Sequence, residues 1–228
     1  YSDLLEFDSV RLIVDKIKPK TIFHLATYGA YSYQNEMDTI KLVNLDSTIN
    51  LIKICANYNF SIFINTGSNS EYGFKEHPMR ESDSLEPNSY YSVFKSASTL
   101  FCQFESISKQ LPIVTIRPFH VYGPYEEPTR LIPTLITNLL HNTCPPLVGP
   151  NIKRDMIYIE DVIDFYIMLA SKSLNIGKIY NIGSGIQSSI KEIVDITRKL
   201  MNSNVSIQWN TMDNRQWDSE NWCADMSL

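Results

Sequence analysis

The fold is decided by the stretch Phe60-Ser61-Ile62-Phe63-Ile64-Asn65 and the residues that follow it, Thr66-Gly67-Ser68-Asn69-Ser70. The first six residues form the short apolar run of a buried strand, and the next five are small and polar, as in a turn. A helical pattern follows at 89–109, with Asn88 or Ser89 as its possible N-cap. Strand, turn and helix in this order predict one unit of an α/β fold.

The same alternation extends along the chain in both directions. Further strands are predicted at 21–26, 112–117 and 178–182, and further helices at 4–18, 39–58 and 160–171. Strands that alternate with helices favour βαβ units and a parallel sheet.

The composition excludes several classes of protein. Of 228 residues, 43% are hydrophobic and 20% are charged, which is typical of a soluble globular protein. A net charge of −5 without a basic block gives no reason to expect nucleic acid or an anionic membrane as a partner. The four cysteines and four histidines lack ligand spacing. We therefore expect no metal site, and free thiols in a reducing compartment such as the cytoplasm.

Tyr91 and Lys95 lie four residues apart in the predicted helix, so their side chains share a face. A nearby ammonium group favours the phenolate, and a phenol tuned in this way can exchange a proton with an alcohol or a carbonyl. Ser68 follows the end of a strand, where ligands of open α/β sheets bind. The alternative is a tyrosine that only packs on a lysine stem. The position of Ser68 favours the catalytic interpretation, which suits hydride chemistry at a secondary alcohol.

Several short motifs surround this set in a fixed order. They are Phe23-His24-Leu25-Ala26, Asn44, Ser68 with Tyr72-Gly73, P-x-S-x-Y-x-x-x-K from Pro87 to Lys95, Arg117-Pro118 with Val121-Tyr122-Gly123-Pro124, Arg154-Asp155 with Tyr158 and Asp161-Val162, and Tyr180-Asn181-Ile182-Gly183-Ser184-Gly185. Together they resemble the extended short-chain dehydrogenase/reductases of the NAD-dependent epimerase/dehydratase family, which modify nucleotide sugars. The resemblance implies a Rossmann-type doubly wound parallel sheet with a small C-terminal substrate-binding lobe.

The resemblance also implies a division of the chain. The cofactor domain would comprise 1–122 and 156–182, and the substrate-binding lobe 123–155 and 183–228. The family's glycine-rich phosphate loop has no counterpart in this sequence, and residues 1–4 resemble the end of the third strand. We therefore expect the first βαβ region, and a C-terminal segment, to be missing from the sequence as given.

Roles for individual residues follow from the resemblance. Tyr91 would be the general base and acid, Lys95 its electrostatic partner, and Ser68 the group that holds the reacting sugar oxygen. Contacts with the cofactor, which is NAD or alternatively NADP, are implied for Asp3, Leu25, Ala26, Asn44, Tyr91, Lys95 and Pro118. Contacts with a nucleoside-diphosphate sugar are implied for Ser68, His120, Arg154 and Arg215. Arg154 is the expected diphosphate clamp, since a guanidinium matches phosphate oxygens in a bidentate manner.

Two departures from the family pattern concern the reaction and the helix. Asn69 and Ser70 stand where the family's 4,6-dehydratases carry an Asp-Glu pair, and an amide and an alcohol are poor acid/base groups. Dehydration is therefore disfavoured. The nearby carboxylate, Glu71, aligns one place late. Thr99 stands where many relatives carry Glu, a departure that we expect to affect helix packing more than chemistry.

The remaining activities are left open by the sequence. We predict a 4-epimerase that acts through a 4-keto sugar with NAD. The alternatives are an NAD(P)H-dependent 4-keto-sugar reductase, or a truncated pseudoenzyme or nucleotide-sugar-binding module.

Two apolar features have alternative interpretations. Tyr28, Tyr31 and Tyr33 form either one wall of the sugar pocket or ordinary surface packing. The resemblance implies a homodimer, with a seam in which Leu100, Phe101 and Phe104 would take part, although these side chains fit the sheet-facing core equally well.

Overall fold

The structure is a computed structural model that describes residues 2–31, 33–171, 176–212 and 221–228. The helices are α1 (Phe7–Ile17), α2 (Met37–Lys41), α3 (Ser47–Cys55), α4 (Tyr90–Lys109), α5 (Leu131–Leu140), α6 (Ile159–Ser171) and α7 (Ile190–Leu200). The strands are β1 (Thr21–His24), β2 (Ile62–Thr66), β3 (Ile113–Pro118), β4 (His120–Tyr122), β5 (Lys153–Tyr158), β6 (Ile179–Ile182) and β7 (Gln187–Ser189). None of the helices in these ranges combines the length and apolarity that a membrane span requires.

The first of two compact units comprises the described residues within 1–73, 81–118 and 164–181. Its sheet has the strand order β1-β2-β3-β6, in which β2 pairs in parallel with both β1 and β3. Ile62, Phe63 and Ile64 are all buried on β2, the pattern of a parallel strand covered on both faces. Val10 and Val14, one turn apart on α1, join the same hydrophobic cluster as Phe63. The predicted parallel α/β sheet of the Rossmann type is confirmed.

The helix that carries Tyr91 and Lys95 begins as predicted. Ser89 is the N-cap of α4, and its Oγ accepts a hydrogen bond from the N–H of Ser92. Ser92 Oγ in turn accepts from the N–H of Ser89, at 2.9 Å. This reciprocal box fixes the first turn of the helix, and Tyr91 lies in that turn.

The helix predicted at 39–58 is interrupted. A π-helical turn, Leu42–Asp46, separates α2 from α3. Asn44 lies in this turn, and its Nδ2 donates to the carbonyl oxygens of Ile40 and Tyr28 at 2.9 and 2.6 Å. A side chain that bonds to the backbone of its own helix and to a neighbouring loop accounts for the irregular turn.

The second unit comprises the described residues within 74–80, 119–163 and 182–228. In its sheet β4 pairs with β5 in parallel, and β5 pairs with β7 in antiparallel fashion. Leu135 of α5 packs in a cluster with Ile193 and Val194 of α7. Residues 131–140 and 190–200 were not among the helices predicted from the sequence, nor were β4, β5 and β7 among the predicted strands.

Candidate active site

The ammonium group of Lys95 is buried at the carboxyl end of β2. Lys95 is 4% exposed, and its Nζ donates a hydrogen bond of 3.0 Å to the carbonyl oxygen of Thr66. Burial lowers the pKa of Lys95 to about 8, against the opposing effect of the Glu71 carboxylate. An ammonium has three N–H donors. Over the described ranges of the chain the bond to Thr66 is its only one, so the remaining donors are available to a ligand.

Tyr91 precedes Lys95 by one helical turn. The Nζ of Lys95 lies 6.0 Å from the centroid of the half-buried Tyr91 ring. The shared helix face that the spacing predicts is therefore present, and it brings a buried cation close to a phenol. The role of Tyr91 as the base stays a prediction.

Ser68 is held in a 3-10 turn directly after β2. It is the N-cap of the turn Asn69–Tyr72, and its Oγ accepts from the N–H of Ser70 at 3.2 Å. The hydroxyl groups of Ser68 and Ser70 are 2.8 Å apart, and either can be the donor. The Oε1 of Glu71 accepts from the N–H of Ser68 at 2.8 Å. The turn therefore fixes the Ser68 hydroxyl two residues beyond Thr66, the residue to which Lys95 is anchored.

Glu71 and Arg117 form a buried ion pair beside this turn. They are 0% and 1% exposed, and Arg117 Nε donates to Glu71 Oε2 at 2.9 Å. Burial raises the pKa of the Glu71 carboxyl, and the Arg117 guanidinium acts in the opposite direction. The guanidinium carbon also lies 4.6 Å from the ring centroid of Tyr72, within the range of a cation–π contact.

The loop after β1 is held by Asn44, which is 1% exposed. Its Oδ1 accepts from the hydroxyl of Thr27 at 3.2 Å and from the N–H of Tyr28 at 3.3 Å. Because the amide also donates to Tyr28 and Ile40, both of its ends are used within the protein. Asn44 thus shapes the loop that follows the Leu25 and Ala26 positions.

His24, the last residue of β1, is a buried neutral imidazole. Its Nε2 lies 2.8 Å from the hydroxyl of Thr48, which itself donates to the carbonyl oxygen of Asn44 at 3.1 Å. The single hydroxyl proton is used in that second bond, so we assign the donor proton to Nε2. Burial and the neighbouring Lys95 lower the pKa of His24 to about 4.

The other residues predicted to contact the cofactor lie at element ends of the first unit. Asp3 is exposed, and its Oδ1 accepts from the N–H of Leu5 in the turn before α1. Leu25 is 57% exposed after β1, Ala26 is half-buried, and Pro118 is the half-buried last residue of β3. The ends of β1 and β3 therefore flank the end of β2, as the strand order requires.

The predicted substrate contacts outside the turn belong to the second unit. His120 is the first residue of β4, and its ring meets that of Trp222 edge-on with centroids 6.1 Å apart. Arg154 is half-buried on β5 and donates to the carbonyl oxygen of Lys153 at 2.7 Å. Arg215 lies outside the described residues. The roles of all three stay predictions.

The tyrosines after β1 are engaged with one another and with the loop. The rings of Tyr31 and Tyr33 are stacked, with centroids 5.5 Å apart and planes 5° apart. The hydroxyl of Tyr28 donates to Glu36 at 2.9 Å. These contacts order the loop, and a part in a sugar pocket stays a prediction.

Sequence reasoning missed the importance of Glu71 and Arg117. The signal for Glu71 was present, since Ser68-x-x-Glu71 has the spacing of a capping box. The signal for the ion pair was absent, because 46 residues separate its partners along the chain.

Fold and site together define a class of protein. The parallel sheet with flanking helices is an α/β arrangement of the Rossmann type. Ser68 and the Lys95 ammonium lie at the end of β2, and Tyr91 precedes Lys95 by one helical turn. The model of the NAD-dependent epimerase/dehydratase family matches residues 1–183. The chain therefore belongs to this family.

The relatives of this chain include proteins described as epimerases and proteins described as dehydratases. A Bacillus subtilis (strain 168) protein described as the uncharacterized UDP-glucose epimerase YtcB is 27% identical over 209 residues, which are 90% of this chain and 66% of that protein. The dTDP-D-glucose 4,6-dehydratase of Dictyostelium discoideum is 26% identical over 218 residues, 89% of this chain and 49% of that protein. The chain thus spans about half to two-thirds of the length of these relatives.

A solved structure with the same fold contains both a nucleotide sugar and a cofactor. It is the UDP-glucuronic acid 4-epimerase of Bacillus cereus in complex with UDP-glucuronic acid and NAD. It matches with a TM-score of 0.89 and 26% identity, over 99% of this chain and 72% of that one.

Proposed function

We propose that this chain is the greater part of a nucleoside-diphosphate-sugar 4-epimerase that works through a 4-keto sugar with NAD. The proposal rests on which residues occupy the turn after β2. Ser68 is placed beside the Tyr91–Lys95 helix, while an amide and an alcohol, Asn69 and Ser70, follow it. Proton transfer at one sugar oxygen is supported by this set, and acid/base removal of water is not.

The nearby carboxylate does not supply the missing acid/base group. Glu71 is 0% exposed, and both of its oxygens accept hydrogen bonds from protein groups. A general acid or base must come within hydrogen-bond reach of the substrate. Asn69 is different, since its Nδ2 is buried without a hydrogen-bond partner in the described part of the chain. We propose that this amide donates to the sugar.

The residues at the end of β2 fit a bound NAD. Lys95 combines unused N–H donors with burial, which suits the hydroxyl groups of a nicotinamide ribose. Leu25 offers exposed apolar surface at the neighbouring strand end. A bound NAD would supply the acceptor, and later the donor, of a hydride at C4 of the sugar. The cytoplasm, where we expect this protein, contains both NAD and nucleotide sugars.

The chain's own residues would handle the proton and the charge. The Lys95 ammonium favours the phenolate form of Tyr91, and this phenolate takes the proton of the sugar 4-hydroxyl and becomes a neutral phenol. Ser68 holds the same sugar oxygen while it changes from hydroxyl to carbonyl and back. The 4-keto sugar would then present its other face to the cofactor and take back the hydride at C4. Tyr91 would return its proton to the sugar oxygen, so that the configuration at C4 is inverted. Arg154 binds the diphosphate, and His120 and Arg215 contribute further contacts.

Turnover of UDP-sugars without added cofactor tests the proposal. We expect UDP-glucose, UDP-N-acetylglucosamine or UDP-glucuronic acid to give its 4-epimer, with a deuterium label at C4 retained in the product. Loss of NADPH with a 4-keto sugar would identify a reductase instead, and a 4-keto-6-deoxy product a dehydratase. Absence of NAD(P) binding would identify a binding module.

Tyr91→Phe removes the proposed base. We expect turnover to fall by at least about a thousandfold, within the range that general acid–base catalysis contributes. Tyr90→Phe is the matched control, since Tyr90 is 56% exposed on the same helix, and it should retain activity. Substantial turnover by Tyr91→Phe would contradict the assignment of the base.

We also propose a homodimer whose seam includes α4. Leu100 and Phe104 are 54% and 64% exposed, whereas Phe101 packs against the core of the first unit. Exposed apolar side chains one turn apart form a stripe that a second copy could cover. Sedimentation should show a dimer that Leu100→Glu with Phe104→Glu converts to a monomer, and an unchanged wild-type-like dimer in that variant would exclude this seam.

A further inference from the structure

We infer that Glu71 is a positioning residue, which ties the Ser68 turn to the helix of Lys95 and places a negative charge at Thr99, one helical turn from that lysine. The inference rests on the proposed function for its catalytic meaning. The contacts of the Glu71 carboxylate and its effect on the pKa of Lys95 can be tested without measuring enzymatic turnover.

Glu71 joins the elements that carry the candidate catalytic groups. Its Oε1 accepts from the N–H of Ser68 at 2.8 Å and from the hydroxyl of Thr99 at 3.0 Å. Its Oε2 accepts from Arg117 Nε at 2.9 Å. These partners belong to the turn after β2, to α4 and to β3. One side chain therefore fixes the distance between Ser68 and the helix of Lys95.

The carboxylate packs closely against the backbone of Gly67. A Cβ atom added to Gly67 would lie 2.5 Å from Glu71 Oε1 and 3.1 Å from Thr99 Oγ1. The glycine in this turn is thus required by the close approach of Glu71. The three contacts all come from donors, the pattern that an ionised, acceptor-only carboxylate requires.

Glu71 meets α4 at Thr99, one helical turn from Lys95, and its charge opposes the lowering of the Lys95 pKa by burial. Among the described residues, Glu71 and Cys102 are the groups whose charge would affect the pKa of Lys95, and the charge of Lys95 lowers the pKa of His24. His24 is neutral because burial lowers its pKa to about 4. Burial raises the pKa of the Cys102 thiol, which is therefore uncharged. Tyr91 presents its ring to the ammonium, and Arg117 bonds to the other oxygen of Glu71.

The departure at position 99 acquires a meaning from these contacts. Thr99 lies four residues after Lys95, and its hydroxyl donates to the carboxylate of Glu71. The carboxylate that meets the helix at this position therefore comes from the turn. A glutamate at position 99 would place a carboxylate in the same region if the side chain at position 71 were removed.

Glu71→Gln tests the charge while it preserves the shape. In a protein with ¹³C-labelled lysine, an NMR titration should show a pKa of Lys95 lower in Glu71→Gln than in the wild type by about one unit or more, the size of effect expected for loss of a nearby charge. Lys95→Arg assigns the signal. Glu76→Gln, an exposed position in the following loop, should leave the titration unchanged. An unchanged pKa of Lys95 in folded Glu71→Gln would overturn the charge role.

Transfer of the carboxylate tests the positioning role. Glu71→Ala should lower kcat by at least about tenfold with a smaller change in KM, and the alkaline limb of its pH profile should move to lower pH. Adding Thr99→Glu should restore at least part of kcat and of the pH profile. No recovery in a folded double variant would overturn the requirement for a carboxylate at this place.

The two arms separate this inference from the proposed function. If the wild type has no epimerase activity, the proposed function fails, while the NMR titration still decides whether Glu71 controls the charge of Lys95. If the wild type turns over and the titration is unchanged in Glu71→Gln, the inference fails and the proposed function stands.

Discussion

Each compact unit contains a fully buried carboxylate, and the two are satisfied in different ways. Glu71 is paired with a buried cation, Arg117, and accepts from one backbone N–H and one hydroxyl. Asp155 accepts from the backbone N–H groups of Ser184, Gly185 and Ala224 and from the Ser184 hydroxyl. The first carboxylate lies beside candidate catalytic groups, and the second joins segments of the chain that are far apart in sequence.

The difference shows how the two units are stabilised. A carboxylate surrounded by backbone N–H groups fixes the path of the chain, and any change of residue leaves several donors unsatisfied. A carboxylate that faces a cation also sets the local charge, so its effects extend to neighbours such as Lys95. The first two predictions below test this comparison, and a third, with a smaller expected effect, concerns the buried His24 of the first unit.

Arg117→Met should have the largest effect on stability. It leaves Glu71 buried without its counterion, which costs about 4 kcal/mol of unfolding free energy in comparable buried pairs. Adding Glu71→Leu should recover part of that loss, because neither charge then remains buried. Urea denaturation measures both variants. A single variant as stable as the wild type would show that the ion pair does not stabilise the first unit.

Asp155→Ala should destabilise the second unit by about 3 kcal/mol, since it leaves buried donors without an acceptor. Asp155 forms no ion pair in the described part of the chain. We therefore expect that replacing an Arg or Lys in addition will not restore the lost stability. The readout is again urea denaturation. If replacement of a nearby Arg or Lys restored the full stability, Asp155 would be shown to have a cationic partner.

His24 should make the first unit sensitive to acid. Its pKa is about 4 in the folded protein and 6.5 when unperturbed, so the unfolded chain takes up the proton first as the pH falls. The stability that His24 contributes is therefore complete above about pH 6.5 and is lost towards pH 4. Between pH 7 and pH 5 the loss should be about 2 kcal/mol.

The control for this prediction is His24→Gln, which cannot titrate. Denaturation curves at pH 7 and pH 5 should differ less for the variant than for the wild type. An equal difference for both proteins would assign the acid sensitivity to other groups.

Much of the first unit could be predicted from local sequence. The apolar runs at β1, β2 and β3 and the cap at Ser89 are signals that a few neighbouring residues determine. The shared face of Tyr91 and Lys95 is a consequence of helical spacing alone. In the second unit the sequence also contains signals for α7. Ser189 caps the helix with Glu192, and Ile190, Ile193 and Val194 form one stripe.

Other features depend on residues that are far apart. The π-helical turn exists because Asn44 bonds to the loop at Tyr28, and a helical pattern in 39–58 does not contain that information. The partners of Asp155 lie 29, 30 and 69 residues further along the chain. These partners lie outside any stretch of sequence that is short enough to show helical or strand periodicity.

The sequence by itself determined the α/β class, the family motifs, the position of Ser68 after a strand and the shared helix face of Tyr91 and Lys95, because strand and helix periods and caps are local properties. Only the tertiary structure decided the charge environment of these residues. Glu71, Arg117 and Thr99 meet through folding of three separate elements, and the burial that lowers the pKa of Lys95 to about 8 exists only in the packed protein.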